Sequence, residues 1–232
     1  MLTLRPAAER GHFDHGWLET WHSFSFADYH DPAHLRFGPL RVLNEDIVQP
    51  GRGFETHGHR DMEILTWILE GALEHRDSMG NGSVIVPGDV QRMSAGRGVL
   101  HSEFNPSSEA RVHLLQMWLH PEVQGIEPSY EQTHVPIGER RGQLRLIASP
   151  DGAPGSVRIR QQARVYAGCF DGAEQAQLSL AAGRRGYVHV ACGSVAVNGL
   201  RIGAGDALGL EDEAAVELAR GAQAEVLVFD LP

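Results

Sequence analysis

The sequence predicts an all-β protein built from two small barrels. Glycine, which occurs 27 times, recurs with Asp, Asn and Pro roughly every ten residues, in stretches such as EDIVQPGRG, SMGNGS and VNGLRIGAGD. Between these turn signals lie short runs rich in Val, Ile, Leu, Phe and Trp, and no long amphipathic helix is evident. Regular short strands separated by turns are typical of a barrel or a sandwich.

A weak internal repeat divides the predicted strands into two sets. Residues 66–96 follow the order strand, glycine turn, strand, polar turn, strand, Gly-Asp, strand, and residues 188–213 repeat that order through Gly205 and Asp206. The alternative is that any β-rich chain gives Gly-Asp turns at this spacing. Residues 120–143 contain three prolines and few periodic apolar residues, which predicts a bridging segment. We therefore expect an N-terminal domain at 1–136 and a C-terminal domain at 137–232.

The composition excludes several classes of function. All 20 basic residues are arginines, and Schiff-base, pyridoxal-phosphate and Walker-type phosphate chemistry all require a lysine. The formal net charge of -10 argues against direct binding to nucleic acid. The tripeptide HRD occurs at His59 and His75 without the other parts of a kinase, so both copies are interpreted as chance matches.

The expected location is the cytoplasm. The only cysteines, Cys169 and Cys192, form no CxxC pair and suit a reducing compartment. The N-terminus lacks the layout of a signal peptide, and no apolar run approaches the ~20 residues that a membrane helix needs. We expect no interaction with a membrane.

Two pairs of residues have the types and spacing of metal ligands. Residues i and i+2 of a strand project from the same face, so His57 and His59 can point to one spot, and so can His101 and Glu103. If the two strands are neighbours, three imidazoles and a carboxylate meet. The C-terminal half offers only His189 in its repeat, so we expect that half to be free of metal.

The spacing around these residues resembles a known family. The pattern from Gly51 through His57, His59 and Glu63 to Gly71 looks like the first cupin motif, and GRGVLHSEFN resembles the second. FSFADYHDP, RVLNEDIVQPGRGFETHGHRDMEILTWILEGALEHRDSMGN, VQRMSAGRGVLHSEFN and GIEPSYEQ are similar to the pirin family of bicupins, in particular to bacterial quercetin 2,3-dioxygenase-like members. The resemblance implies two cupin barrels, of the jelly-roll or double-stranded β-helix type, in one chain.

The resemblance also implies a set of metal ligands, which fall on His57, His59, His101 and Glu103. In ordinary cupins the carboxylate comes from the first motif, so Glu63 remains the alternative to Glu103. Pirins usually have proline where this chain has Gly58, and the freer backbone predicts a lower metal affinity. Four residues are candidates to hydrogen-bond the ligands: Glu63, Asp61, Asn44 and Gln116.

These ligands suit one divalent transition metal ion, with Fe(II) as the first expectation and Mn, Ni, Co, Cu or Zn as alternatives. The reaction implied by the resemblance is oxygenative ring opening of a flavonol such as quercetin, with release of carbon monoxide. Glu103 is the expected catalytic base, and Glu63 is the alternative. The candidates to line an apolar substrate pocket are Phe24, Phe26, Phe54, Met93 and Trp118.

Two other classes of function stay open at this stage. Eukaryotic pirins are described as nuclear cofactors whose iron state modulates binding to a transcription factor, so the chain could be a metal or redox sensor with a protein partner. It could also be a bicupin that a metal stabilises without chemistry. An enzyme predicts saturable turnover that depends on dioxygen, and a sensor predicts a partner whose affinity follows the oxidation state of iron.

Overall fold

The computed structural model describes residues 1–232 and consists almost entirely of antiparallel strands. The first twelve strands are β1 (Leu2–Arg5), β2 (Gly11–Asp14), β3 (Leu18–His22), β4 (Leu40–Val48), β5 (Gly53–His59), β6 (Glu63–Glu70), β7 (Leu73–Asp77), β8 (Gly82–Ile85), β9 (Asp89–Ser94), β10 (Val99–Phe104), β11 (Val112–Leu119) and β12 (Ser129–His134). The other eight are β13 (Arg145–Ser149), β14 (Val157–Arg158), β15 (Arg164–Phe170), β16 (Ala176–Ser179), β17 (Arg185–Val197), β18 (Leu200–Gly203), β19 (Ala207–Leu210) and β20 (Ala215–Leu231). The all-β prediction is confirmed.

Helical structure is confined to two short pieces, a 3-10 turn at Ala7–Glu9 and the helix α1 (Ile137–Arg140). Neither has the length and apolar character that a membrane crossing requires. The prediction that residues 120–143 form a bridging segment is wrong for β12, which pairs along its whole length with β9. Prolines at both ends of β12, rather than inside it, are compatible with a strand.

The residues group into two compact units. The N-terminal unit comprises Gly11–His134 and Val157–Gln161, and the C-terminal unit comprises Met1–Arg10, Val135–Ser156 and Gln162–Pro232. Met1–Arg10 belongs to the C-terminal unit because β1 pairs with β19 there. The domain limits 1–136 and 137–232 expected from the sequence stay a proposal.

The N-terminal unit contains a seven-stranded sheet, in the order β12-β9-β6-β11-β4-β3-β2, and a four-stranded sheet, in the order β5-β10-β7-β8. A row of polar residues crosses the larger sheet on one face, because directly opposed residues of adjacent strands share a face. In order, the row is His22, Asn44, Gln116, Thr66, Gln91 and Gln132.

This polar row separates two apolar clusters. On β6, Thr66 lies between Ile64 and Ile68, which have the same orientation at two residues' distance. Ile68 belongs to a cluster with Leu18, Val48, Leu73, Ile85, Val112 and Leu114, whereas Ile64 packs with Met93, Ala95 and Val99. The core of this unit is therefore interrupted where the polar row passes.

The C-terminal unit has one main sheet, in which β1, β19, β17, β20, β15 and β13 are neighbours in that order. β16 pairs with β20, and β18 pairs with β17. One continuous cluster of hydrocarbon side chains fills this unit: Phe170, Leu180, Val188, Val190, Val195, Val197, Ile202, Leu208, Leu210, Val216, Leu218, Ala224, Val226 and Val228.

Candidate metal centre

The two predicted pairs of residues lie on adjacent strands. β5 and β10 are antiparallel neighbours, and His101 is directly opposite His57. The ring centroids of His57 and His101 are 4.4 Å apart, and each is 4.8 Å from the ring of His59. The structure thus brings together three imidazoles that come from two separate motifs.

The nitrogens of these rings point at one another. Nε2 of His57 and Nε2 of His101 are 3.0 Å apart, and Nδ1–H of His57 donates to the carbonyl oxygen of Glu55 at 2.8 Å. With the proton of His57 on Nδ1, its Nε2 carries a lone pair. Two nitrogens that each lie about 2.1 Å from one ion at a right angle are about 3.0 Å apart, so this spacing suits a shared cation.

A β-bulge sets the position of Glu103 relative to the histidines. One residue of β10 separates His101 from Glu103, but two residues of β5 separate their partners, His57 and Phe54. The extra residue keeps Phe54 opposite Glu103 despite the odd spacing. Gly53 permits the close approach of the strands, because a Cβ there would lie 2.2 Å from the carbonyl oxygen of Glu103.

A fourth histidine joins the site, and the sequence analysis missed it. His75 of β7 is directly opposite Glu103, and the ligand atoms of His75, His101 and Glu103 all lie within 4.8 Å of one another. Nε2–H of His75 donates to Asp77 Oδ2 at 3.1 Å, while its Nδ1 is buried without a partner.

HRD at His75 remains a chance match to the kinase motif, but His75 lies at this site and is hydrogen-bonded to Asp77. The spacing of His75 and Asp77 is the same i, i+2 pattern as in the other two pairs. That pattern was the available signal. What the sequence does not show is that β10 has β5 on one side and β7 on the other.

Glu63, the alternative carboxylate, has other partners. Its Oε2 accepts from Ser94 Oγ at 2.8 Å and from the backbone N–H of Arg160 at 3.1 Å. Burial raises the pKa of Glu63 against the effect of these hydrogen bonds. It belongs to neither group of side chains that could hold an ion.

Burial favours the neutral form of His59 and His101. It lowers the pKa of His59 to about 4 and that of His101 to about 2, and in both cases a neighbouring histidine adds to the effect. Burial raises the pKa of Glu103 to about 7, and the nearby charge of Asp46 adds to this rise. The hydrogen bond from Gln116 acts in the other direction, because it favours the charged form. Neutral imidazoles are the form that binds metal.

Gln116 links the carboxylate to the wall of the site. Its Nε2 donates to Glu103 Oε2 at 2.9 Å, and its Oε1 accepts from Trp118 Nε1 at 3.0 Å. Of the four candidates expected to support the ligands, Gln116 therefore contacts one. Asp61 instead accepts from the backbone of Gly125, and Asn44 lines the cavity.

The centre opens into a cavity of about 700 Å³. Two edge-to-face aromatic pairs lie along it, Trp17 with Phe54 and Phe26 with Trp118, each with centroids 5.3 Å apart. The remaining lining residues are His15, Leu18, Thr20, His22, Ala27, Asn44, Asp46, Gly51, Arg52, Gly53, Glu55, His57, His59, Glu103, Phe104 and Gln116.

Three of the five expected pocket residues, Phe26, Phe54 and Trp118, do line this cavity. The expectation is wrong for Phe24 and Met93, which are buried without lining it. Met93 packs in an apolar cluster with Ile64 and Val99.

The donors present fit a divalent metal. Three neutral imidazoles converge, and Oε1 of Glu103, which is 2% exposed, has no hydrogen-bond partner. A buried carboxylate oxygen without a donor is unfavourable unless a cation or a proton compensates it. Nitrogen and oxygen ligands of this kind suit a first-row transition ion.

Comparison with known proteins agrees with the fold. Residues 3–119 match the family model described as Pirin, and residues 146–231 match the model described as Quercetinase C-terminal cupin domain. The chain belongs to the pirin family. The predicted bicupin fold is confirmed, since both halves of this pirin match cupin-type family models.

Relatives of this pirin are similar over the whole chain. A protein of Escherichia coli strain K12 named quercetin 2,3-dioxygenase is 46% identical, with 100% of this chain and 99% of the relative covered. A pirin-like protein of Caulobacter vibrioides is 40% identical, with 99% of each chain covered. The crystal structure of a bacterial pirin from Escherichia coli in complex with nickel(II) has 46% identity and a TM-score of 0.95, and the alignment covers 100% of this chain and 99% of that one.

Proposed function

We propose that this pirin is a metal-dependent dioxygenase that opens the heterocyclic ring of a flavonol such as quercetin and releases carbon monoxide. The observation that carries the proposal is the convergence of His57, His59 and His101, with Glu103 grouped beside His101 on the side of His75, at a cavity with two aromatic pairs. A relative named quercetin 2,3-dioxygenase, 46% identical over the whole chain, supports it.

The proposed ligands of the ion are His57, His59, His101 and Glu103, and Fe(II) is our first expectation. When bound, a divalent ion supplies Lewis acidity, which lowers the pKa of a ligating hydroxyl group and prepares the electron-rich ring for dioxygen. The nickel(II) complex of the similar Escherichia coli pirin supports the binding of a divalent ion by this pirin.

Glu103 is the proposed catalytic base for the 3-hydroxyl group of the flavonol. Burial raises the pKa of Glu103 in the metal-free protein, and a bound cation would favour the carboxylate form, which is the form that accepts a proton. Gln116 holds Oε2 of this carboxylate, which leaves Oε1 free to face the ion or the substrate.

The two aromatic pairs would hold a flat substrate in position beside the metal ligands. Phe26 and Trp118 stand at the side of His59, whose ring centroid is 4.7 Å from that of Trp118. Trp17 and Phe54 also line the cavity. Flat rings gain both apolar contact and edge-to-face attraction in such a site.

The test is dioxygen-dependent loss of quercetin absorbance by the iron-reconstituted protein, with metal content measured in the same samples. We expect saturable turnover by the parent, its loss in the metal-poor His101→Ala variant, and loss of kcat in Glu103→Gln at equal metal content. A parent that holds its metal and leaves quercetin unchanged would overturn the proposal. The regulatory hypothesis, with a protein partner that responds to the state of the metal, would then take precedence.

A further inference from the structure

Two polar residues stand where the wall of the cavity would otherwise be apolar. On β4, Asn44 and Asp46 have the same orientation as Val42 and Val48, since alternate residues of a strand share a face. Asn44 is 4% exposed and Asp46 is 5% exposed, and both line the cavity. They lie on a strand of the seven-stranded sheet, whereas the histidines belong to the four-stranded sheet.

Asn44 carries an unsatisfied acceptor in the wall of this cavity. Its Oδ1 is buried and has no hydrogen-bond partner within the protein. Such an oxygen is unfavourable in the folded state unless a ligand supplies a donor. Asn44 lines the cavity, and rotation of its amide group about the last side-chain bond would present Oδ1 to a bound ligand.

Asp46 extends the same acceptor surface. Its carboxyl group receives a hydrogen bond from Thr20, which also lines the cavity, and burial raises the pKa of Asp46 to about 6. A carboxylate offers about four lone-pair sites, so one donor from Thr20 leaves capacity for a ligand.

The charges of the cavity select against anions. Asp46, Glu55 and Glu103 contribute carboxyl groups to its lining, and Arg52 is the one guanidinium among the lining residues. A ligand that carries a carboxylate or a phosphate toward β4 would meet acceptors and like charge. A neutral hydroxyl group can donate to these acceptors and carries no charge that they would repel.

We propose that Asn44 and Asp46 form a subsite that recognises hydroxyl groups on the part of the ligand remote from the metal-binding end. The subsite rests on the proposed function, because it assumes a flat aromatic ligand whose other end reaches Glu103 and the histidines. Within the flavonols of the proposed function, the subsite would favour members that carry hydroxyl groups at this remote end. Phenols whose remote hydroxyl groups are methylated bring no donor and are disfavoured.

The test compares two ligands with the same metal-binding end. Quercetin carries further hydroxyl groups, whereas 3-hydroxyflavone keeps the 3-hydroxyl and 4-carbonyl groups and has no other donor. Binding is measured by calorimetry with zinc-loaded protein without dioxygen, so the readout does not depend on turnover. We expect the parent to bind quercetin tighter than 3-hydroxyflavone by on the order of 10-fold.

The informative variants are Asn44→Leu, which keeps the approximate shape and removes the acceptor, and the isosteric Asp46→Asn. Asn44→Leu should reduce the preference for quercetin to about 2-fold, with 3-hydroxyflavone binding unchanged or improved. Asp46→Asn preserves packing and should reduce the preference by a smaller factor, so the proposal stays testable if Asn44→Leu does not fold. The matched control is Thr66→Val, which alters a buried residue of the same polar row that does not line the cavity.

The outcomes separate this subsite from the proposed function. If 3-hydroxyflavone binds but the parent shows no preference for quercetin, or if both β4 variants keep the full preference, the subsite is wrong and the proposed function stands. If the zinc-loaded parent binds neither ligand, both proposals fail. A preference lost equally in Thr66→Val would also overturn the subsite, because a change in the polar row that does not face the cavity would then have the same effect.

Discussion

The two units repeat one turn and differ in what they enclose. In the N-terminal unit, the carboxylate of Asp89 accepts from the backbone N–H of Val86, and in the C-terminal unit Asp206 accepts from that of Gly203, three residues earlier in both cases. The N-terminal core is nevertheless divided by a polar row, while the C-terminal core is continuous. The same local geometry therefore supports either a site or a packed interior, depending on the residues that face inward.

The difference also appears in the unsatisfied polar atoms around the centre. Five buried side-chain atoms there have no partner in the protein: Asn44 Oδ1, Thr66 Oγ1, His75 Nδ1, His101 Nδ1 and Glu103 Oε1. Each such group lowers the stability of the folded state until a ligand or an ion compensates it. The N-terminal unit thus gives up part of its stability for the site, and metal binding should restore stability to that unit.

The largest expected effect is the loss of metal when a histidine of the N-terminal unit is removed, compared with no loss when a histidine of the C-terminal unit is removed. His59→Ala removes one of three convergent imidazoles, so we expect metal affinity to fall by more than about 100-fold, beyond the usual effect of losing a supporting residue. His189→Ala, which removes a buried histidine of the C-terminal unit, should leave the metal content of the folded protein unchanged. Metal analysis after dialysis against a chelator measures both. Equal loss in the two variants would contradict the comparison.

The next effect concerns buried carboxyl groups and pH. The pKa of Asp46 is raised from 3.8 to about 6 by burial, so its charged form is disfavoured in the folded state. The destabilisation is absent below about pH 4, grows as the pH rises, and is complete above about pH 6, at roughly 3 kcal/mol. Asp46→Asn should therefore gain stability over the metal-free parent as the pH rises through this window.

Asp230 is the matched carboxylate of the C-terminal unit. It is also buried but forms an ion pair with Arg184, so Asp230→Asn should lower stability at neutral pH. Denaturant unfolding of both variants at pH 4 and pH 7 tests the contrast. Loss of stability by Asp46→Asn at pH 7 would show that its carboxylate is compensated in the folded state.

A smaller effect on stability distinguishes the core of the N-terminal unit from that of the C-terminal unit. Thr66 carries a buried hydroxyl oxygen without a partner, so the isosteric Thr66→Val should raise stability by about 1 kcal/mol. The reverse change in the C-terminal core, Val190→Thr, places a hydroxyl group among hydrocarbon side chains and should cost about 2 kcal/mol. Denaturant unfolding of both variants measures the two changes. We expect the free energy of unfolding to rise in Thr66→Val and to fall in Val190→Thr.

A modest effect is predicted on metal affinity through His75. His75→Gln removes the ring that Asp77 holds beside His101 and Glu103, and we expect about 10-fold weaker metal binding. Competition with a chromogenic chelator measures this change. Affinity equal to that of the parent would mean that His75 only fills space beneath the centre.

The local patterns of the sequence predicted more of this molecule than its long-range pairing. The i, i+2 rule placed His57 with His59 and His101 with Glu103 without any structure, because the two-residue period of a strand is a local property. The pairing of β10 with β7 is not local, so His75 was missed. Phe24 and Met93 were misassigned for a similar reason, since an apolar side chain has the same sequence signal in a core and in a pocket.

Irregular strands were also beyond the reach of sequence patterns. The repeated order of residues 188–213 predicts a glycine turn after the first strand, but Gly193 lies inside β17, where repeated register shifts let the strand continue past it. Its φ of 65° is a conformation that glycine adopts without strain. The prolines around β12 likewise suggested a segment without strands. Only the structure shows that they lie outside the paired residues of β12.

The bulge in β5 makes the cavity sensitive to chain length rather than to side-chain chemistry alone. Removal of one residue between Phe54 and His57 would restore regular alternation and still leave Phe54 opposite Glu103, in a straighter strand. Removal of two residues would turn Phe54 to the outer face and take one aromatic group out of the wall. The number of residues removed from this strand therefore decides which face of the sheet Phe54 occupies. A set of length variants should change the shape of the cavity in discrete steps, which substitutions alone do not produce.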